Sequence, residues 1–314
     1  MRIARDDHGV TILAPAKLNL FLEVLARRAD GYHDLETLMV AIDVCDQLQL
    51  QPRADARLDL TSRWLVAAHS TATNALGDVP TGSDNIVIRA LERLRQRAGV
   101  QHGATVHLDK RIASAAGLGG ASSDAAAALL AANLAWQLHW PLDRLAAVAA
   151  ELGSDIPFFL GPPAAICRGR GEIIEPLEAL PVLDVVVVRP PAGLSTPAVY
   201  KACRPATSPA SVQPLLHAWR RGDLAGVGQA MVNRLEPAAE QLSPWITRLR
   251  DAFAGQGCYG YQMSGSGSSY FGLCRHALHA RRVARRIHAG GLGFAYVTRT
   301  IALSQMGRGG AQAA

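Results

Sequence analysis

Three glycines in four positions, Gly117, Gly119 and Gly120, stand between an alternating apolar segment, 104–108, and an alanine-rich stretch, 124–135. The alternation predicts a strand and the stretch a helix, so the chain must turn from one into the other through Ala116-Gly117-Leu118-Gly119-Gly120-Ala121-Ser122-Ser123-Asp124. Glycine lets a backbone approach a ligand closely and point its N–H groups inward, and a helix start adds partial positive charge. A phosphate chain is what such a nest binds best. No Gly-Lys-Ser/Thr closes the loop as a Walker A motif would, and no acidic residue ends a following strand about twenty residues on, as a dinucleotide fingerprint requires. A tight packing turn uses the same glycines, so the loop alone leaves both readings open.

The 314 residues are 49% hydrophobic and 18% charged, a globular balance. Single cores stop growing near roughly 250–300 residues, so two lobes with a cleft between them are expected. Strands are predicted at 11–14 and 18–25, interrupted by Pro15, and at 35–50; an irregular surface insertion over 63–82 precedes a helix at 86–97. A second helix, 142–152, leads into Gly153-Ser154-Asp155-Ile156-Pro157, and the uninterrupted apolar run 185–188 marks a strand at 182–189. Further helices are expected at 212–220, 224–231 and 244–254, then a glycine-serine loop at 264–269 between two strands, a helix ending near residue 289 and a last strand at 296–303. The domains expected are 1–168 and 169–305, followed by a disordered small-residue tail, 306–314.

A formal net charge of +6 suits acidic partners without saying which. The densest basic group, Arg281, Arg282, Arg285 and Arg286, repeats beside Val283, Ala284 and Ile287 as the wet face of an amphipathic helix would. Aromatic residues make up only 5% of the chain, too few parts for a single-strand stacking platform, so no nucleic-acid partner is expected. Cys45, Cys167, Cys203, Cys258 and Cys274 show neither disulfide-framework nor zinc spacing and fit a reducing cytosol. No apolar run reaches membrane-spanning length and residues 1–10 lack a signal-peptide core, so a cytoplasmic chain without a membrane partner is expected. The oligomeric state is not set by the sequence.

Two further segments flank the glycine loop at opposite ends of the chain: Pro15-Ala16-Lys17-Leu18-Asn19-Leu20 and Met263-Ser264-Gly265-Ser266-Gly267-Ser268-Ser269. In this order the three resemble the motifs of the GHMP kinases, the superfamily of galactokinase, homoserine kinase, mevalonate kinase and phosphomevalonate kinase. Within it, Arg28-Ala29-Asp30-Gly31-Tyr32-His33, Gly153 to Phe159 and Ser195-Thr196-Pro197-Ala198-Val199-Tyr200 are similar to the members whose acceptor is a cytidine-diphosphate-linked methylerythritol. The likeness covers nearly the whole chain. It implies an α+β fold of two lobes with a cleft between, and transfer of the terminal phosphate of ATP to the 2-hydroxyl of that acceptor, in the non-mevalonate route to isoprenoids.

Matched motif by motif, Lys17 and Asp155 fall on the family's catalytic pair, Asp155 as the base that accepts the hydroxyl proton and Lys17 as the charge that keeps it ionised and faces the transferring phosphoryl group. Alone, a lysine after Pro-Ala is a solvated strand end and an aspartate before Ile-Pro a turn cap. The resemblance places ATP on Ala113, Ser114, Ala115, Ala116, Gly117, Leu118, Gly119, Gly120, Ala121, Ser122 and Ser123. It places cytosine at Tyr32, His33 and Tyr200, with Asn19 near the erythritol end. Ala113 stands where the family loop usually begins with proline and Ala121 where it usually has glycine, so Ala121 must avoid positive φ. No His-x-Glu-x-x-His or Cys-His spacing marks a protein-built metal site; magnesium is expected to arrive with ATP, shared among phosphates, water and either Ser122 or Asp124, with no ligand assigned. The competing expectations are a GHMP kinase with a smaller acceptor, such as homoserine or a mevalonate derivative, and a non-catalytic nucleic-acid-binding protein.

Overall fold

The computed structural model describes residues 1–65, 79–178 and 180–305. Most of the 63–82 insertion and all of the 306–314 tail therefore lie outside the described residues. Two long antiparallel strands, β2 (Gly9–Arg27) and β3 (His33–Arg53), form the spine of a first sheet ordered β1 (Arg2–Asp6), β2, β3, β5 (Gly103–Lys110), β4 (Leu58–Trp64). Pro15 does not end the first strand. The register shifts by a bulge between Pro15 and Ala16, which accommodates the missing N–H without breaking the ladder.

Strand periodicity sends Lys17 and Asn19 to one face of β2 and Ala16, Leu18 and Leu20 to the other, where all three are fully buried. The first face is covered by α1 (Ile86–Ala98), α2 (Gly120–Ala135) and α3 (Leu142–Leu152). Helix α1 starts at Asn85, whose side chain accepts from the Val87 N–H, and stops at Gly99 with φ 67°. Helix α2 is apolar nearly all round and buried accordingly, its alanines letting it lie close on the sheet. The sheet is extended by β6 (Ala164–Gly169), which pairs with β3, and by β7 (Ile173–Pro176). A boundary after 168 thus falls inside β6, and the first sheet runs on to Pro176.

The second sheet is ordered β10 (Gly260–Met263), β11 (Tyr270–Leu273), β8 (Asp184–Arg189), β12 (Phe294–Arg299). Its central strand β8 is buried on both faces, which explains the uninterrupted valines: Val185 and Val187 face the core shared with β2, Val186 and Val188 a third core. Burial of each such side chain is worth about 1.5–3 kcal/mol. The shared core is closed by α5 (Gln213–Arg220) through Leu215, Leu216 and Trp219. The third core is covered by α4 (Thr196–Ala202), α7 (Glu236–Leu242), α8 (Pro244–Ala254) and α9 (Ala277–Ala289).

The short α6 (Leu224–Gln229) leads into β9 (Val232–Asn233), which pairs in parallel with β2 and so stitches the C-terminal half to the first sheet. Arg281, Arg282, Arg285 and Arg286 are exposed on α9 while Val283, Ala284 and Ile287 are buried, as the amphipathic pattern predicts. All five cysteines are free thiols. Among the described residues no helix is long and apolar enough to cross a membrane.

Candidate active site

Lys17 leaves β2 on the face opposite the shared core and is only 4% exposed. Its Nζ donates to Asn19 Oδ1 at 2.7 Å and lies 3.6 Å from Asp155 Oδ2. Asn19 is held in turn: its Nδ2 donates to Thr37 Oγ1 at 2.8 Å, and the Thr37 hydroxyl donates to the Phe21 carbonyl at 2.7 Å. A buried ammonium is thus aimed by a fully hydrogen-bonded polar chain. Asp155 follows α3 just before the 3₁₀ turn Pro157–Leu160, and its side chain stays about one-third exposed, at 34%, toward the cleft.

The glycine loop runs directly beneath this pair. The Lys17 N–H donates to the Leu118 carbonyl at 2.9 Å, and Gly117 and Gly119 adopt φ of 73° and 70°. A Cβ on Gly119 would meet Phe159 Cζ at 2.9 Å and Lys17 Cγ at 3.0 Å, and one on Gly117 would collide with the Ser264 carbonyl oxygen. Ser264 closes that contact by donating its hydroxyl to the Gly117 carbonyl at 3.0 Å, and the Ser269 N–H donates to the Ala116 carbonyl at 3.1 Å. Asn233 braces the serine loop from behind, its Nδ2 donating to the Met263 and Gly265 carbonyls at 2.7 and 2.9 Å.

Both departures from the family loop are accommodated. Ala121 lies in the first turn of α2, exposed and without positive φ; the alanine that does adopt the left-handed region is Ala115, at φ 49°. The Ala113 N–H donates to the Tyr296 hydroxyl at 3.2 Å, a bond proline cannot make, and that hydroxyl donates to the Arg111 carbonyl at 2.8 Å.

Behind the loop, Lys110 Nζ donates to Asp46 and, at 2.5 Å, to Asp124 Oδ2, all three side chains being buried. Burial works against the Lys110 ammonium, and the two carboxylates more than offset it, so its pKa is raised. Burial raises the Asp124 carboxyl, with Lys110 opposing and Asp46 adding to the rise. Asp124 Oδ1 is left without a hydrogen-bond partner. No group of three or more His, Cys, Asp or Glu that could hold a metal occurs among the described residues.

In the same cleft the His33 ring packs against Tyr200, centroids 5.4 Å apart and planes tilted by 31°. Burial, helped by the Arg27 charge, lowers the His33 pKa, so its imidazole is neutral at neutral pH. Burial and the nearby Asp155 push the Tyr200 phenol well up, so it stays protonated. Tyr32 is 55% exposed, with the Arg170 guanidinium 5.0 Å from its ring centroid.

These parts line one cleft of about 1040 Å³. Its walls carry Lys17, Arg27, Lys110, Arg170 and Lys201 against Asp84, Asp124 and Asp155, an excess of positive charge suited to phosphates. Of the residues expected from the sequence, Lys17, Asn19, Tyr32, His33, Asp155, Tyr200 and the loop residues Ala113 to Gly117 and Gly119 to Ser122 all reach the cleft. Leu118 and Ser123 do not: Leu118 is buried in the shared core, and the Ser123 N–H serves the first turn of α2. Thr37, Asn233, Lys110 and Arg170 were not singled out in the sequence. Only Arg170 left a trace there, as a charged side chain between two glycines in Gly169-Arg170-Gly171.

The family model described as the GHMP kinases N terminal domain matches residues 85–161, and that for GHMP kinases C terminal matches residues 215–291. The chain is 40% identical over 279 residues to the 4-diphosphocytidyl-2-C-methyl-D-erythritol kinase of Pelotomaculum thermopropionicum, covering 88% of this chain and 93% of that one. It is 41% identical over 265 residues to the enzyme of the same name from a Polaromonas species, covering 84% and 82%. A crystal structure of 4-(cytidine 5'-diphospho)-2C-methyl-D-erythritol kinase superposes with a TM-score of 0.77 at 38% identity, covering 92% of this chain and 98% of that one. Homoserine kinase from Cytophaga hutchinsonii, 20% identical with a TM-score of 0.72 over 97% of each chain, shares the fold.

Proposed function

The chain belongs to the 4-diphosphocytidyl-2-C-methyl-D-erythritol kinases of the GHMP kinase superfamily, and we propose that Lys17 and Asp155 carry out its phosphoryl transfer from ATP to the 2-hydroxyl of that acceptor. The observation that carries the proposal is the 3.6 Å approach of Lys17 Nζ to Asp155 Oδ2 at the wall of the cleft that also holds the glycine loop. Asp155 accepts the acceptor's hydroxyl proton as that oxygen bonds to the terminal phosphorus of ATP, and ADP leaves with the electrons of the broken phosphorus–oxygen bond. Lys17 stands beside Asp155 and faces the oxygens of the transferring group. Its own position is fixed by Asn19 and Thr37, so little reorganisation accompanies the transfer.

The glycine loop takes the phosphates of ATP on backbone N–H groups at the start of α2. Magnesium neutralises phosphate charge in such reactions, and the oxygens that fit one arriving with the nucleotide are those of Ser122 and Asp124, whose Oδ1 has no other partner. Tyr32, Tyr200 and His33 hold the cytosine. We place the division between the two domains in the segment after β7 and before β8, and the reaction in the cytoplasm, where five free thiols persist.

The test is ADP release with magnesium, ATP and a panel of acceptors. Release that depends on 4-diphosphocytidyl-2-C-methyl-D-erythritol is the expected result. Release only with homoserine or a mevalonate derivative would overturn the acceptor assignment and keep the kinase.

A further inference from the structure

The turn joining β6 to β7, Gly169-Arg170-Gly171-Glu172, forms part of the cleft wall. It is built from within: the Glu172 carboxylate folds back to accept the Arg170 N–H at 2.7 Å, and a Cβ on Gly169 would press on that carboxylate at 3.1 Å. Glu172 is thereby engaged as the turn's cap. Its ion pair to the Arg170 guanidinium is long, 3.7 Å, and partly exposed on both sides, so it holds the arginine weakly.

Consecutive residues of this turn touch the two ends of the acceptor site. Arg170 lies 5.0 Å over the Tyr32 ring, and the Cβ position of Gly171 is 3.7 Å from Asp155 Oδ1. Neighbouring residues of one turn thus lie beside the pyrimidine clamp and beside the base that takes the proton. An acceptor whose base rests at Tyr32 and whose hydroxyl reaches Asp155 must lay the connection between them along this turn. In the acceptor proposed above, that connection is a diphosphate. Arginine's planar fork of N–H donors matches phosphate oxygens in pairs, and stacking on an aromatic face holds the fork in orientation. Gly171, at φ 115° and without a side chain, leaves the path beside Asp155 open.

We infer that Arg170 binds the diphosphate of the acceptor and so couples the pyrimidine clamp to the reacting centre. The inference rests on the acceptor reading above. It separates from a structural role because a residue that merely props Tyr32 would serve the base and not the phosphates.

Calorimetric binding of cytidine diphosphate and of cytidine, without turnover, tests it on the wild-type chain, Arg170→Gln and Arg170→Lys, with melting temperature and ATP affinity as checks of fold. The expected result is that Arg170→Gln weakens cytidine diphosphate by roughly tenfold to hundredfold, that cytidine stays within about twofold, and that Arg170→Lys recovers part of the loss. Unchanged cytidine diphosphate affinity in Arg170→Gln would overturn the inference. Equal weakening of both ligands would also overturn it, by assigning Arg170 to Tyr32. A wild-type chain that binds neither ligand would bring down the acceptor reading itself, and the inference with it.

Discussion

The Ser264 hydroxyl donates to the Gly117 carbonyl across 147 positions of sequence, and this bond makes the two glycine loops one structure. The phosphate loop is therefore shaped from both lobes: α2 rises from it on one side, and the β10–β11 hairpin turn presses on it from the other.

Gly117→Ala follows from that contact. The added methyl collides with the Ser264 carbonyl at a residue held at φ 73°, so the loops must part. The KM for ATP is expected to rise by about tenfold or more, since a displacement near 1 Å suffices for losses of that order. Ala121→Gly, in the first turn of α2, is expected to cost at most about 1 kcal/mol of stability and to leave the KM for ATP within about twofold. Steady-state kinetics and thermal melts of the two variants check both, and normal ATP use by Gly117→Ala would mean that the serine loop does not shape the site.

His33 gives a pH dependence of defined sign. Because burial and Arg27 lower its pKa, the neutral ring is the working form at neutral pH, and protonation comes only as pH falls below the ordinary imidazole value. The KM for the acceptor is expected to be flat from pH 7 upward and to rise only once pH has fallen below the ordinary imidazole range, as the ring charges. His33→Gln should raise the KM at neutral pH and remove its dependence on acidification. A wild-type KM that falls on acidification would contradict the assignment.

Tyr200 packs its ring on His33, as a stacking residue of the acceptor site, so its loss should weaken binding more than chemistry. Tyr200→Ala is expected to raise the acceptor's KM by about tenfold, the order of one lost stacking contact, and to change kcat less. Equal falls in kcat and kcat/KM would place Tyr200 in the chemical step.

Much of this arrangement was legible in the sequence because it is local. The strand, glycine loop and helix around Gly117 are written in consecutive residues, and the valines 185–188 marked a strand, which the structure buries on both faces. Pro15 was read as an interruption because the bulge that absorbs it needs the partner strand to be seen. The short β9 and α7 carry no periodicity long enough to register. Lys17 and Asp155 were found through the resemblance of whole motifs, since neither residue type in its own segment calls for the other. Thr37 and Asn233 left no signal, because each acts through buried hydrogen bonds to groups distant in sequence. Ala121 drew attention as the replaced glycine, yet the left-handed alanine is Ala115, and only the path of the backbone reveals it.

Asp155, held beside Lys17, is proposed to take the proton in the transfer from ATP. Single-turnover phosphoryl transfer to 4-diphosphocytidyl-2-C-methyl-D-erythritol by Asp155→Asn, with melting temperature and ATP binding measured alongside, tests it most directly. The expected rate is lower by roughly 100-fold or more in a chain that melts normally and binds ATP normally. A rate close to that of the wild-type chain would contradict it and remove Asp155 from the mechanism.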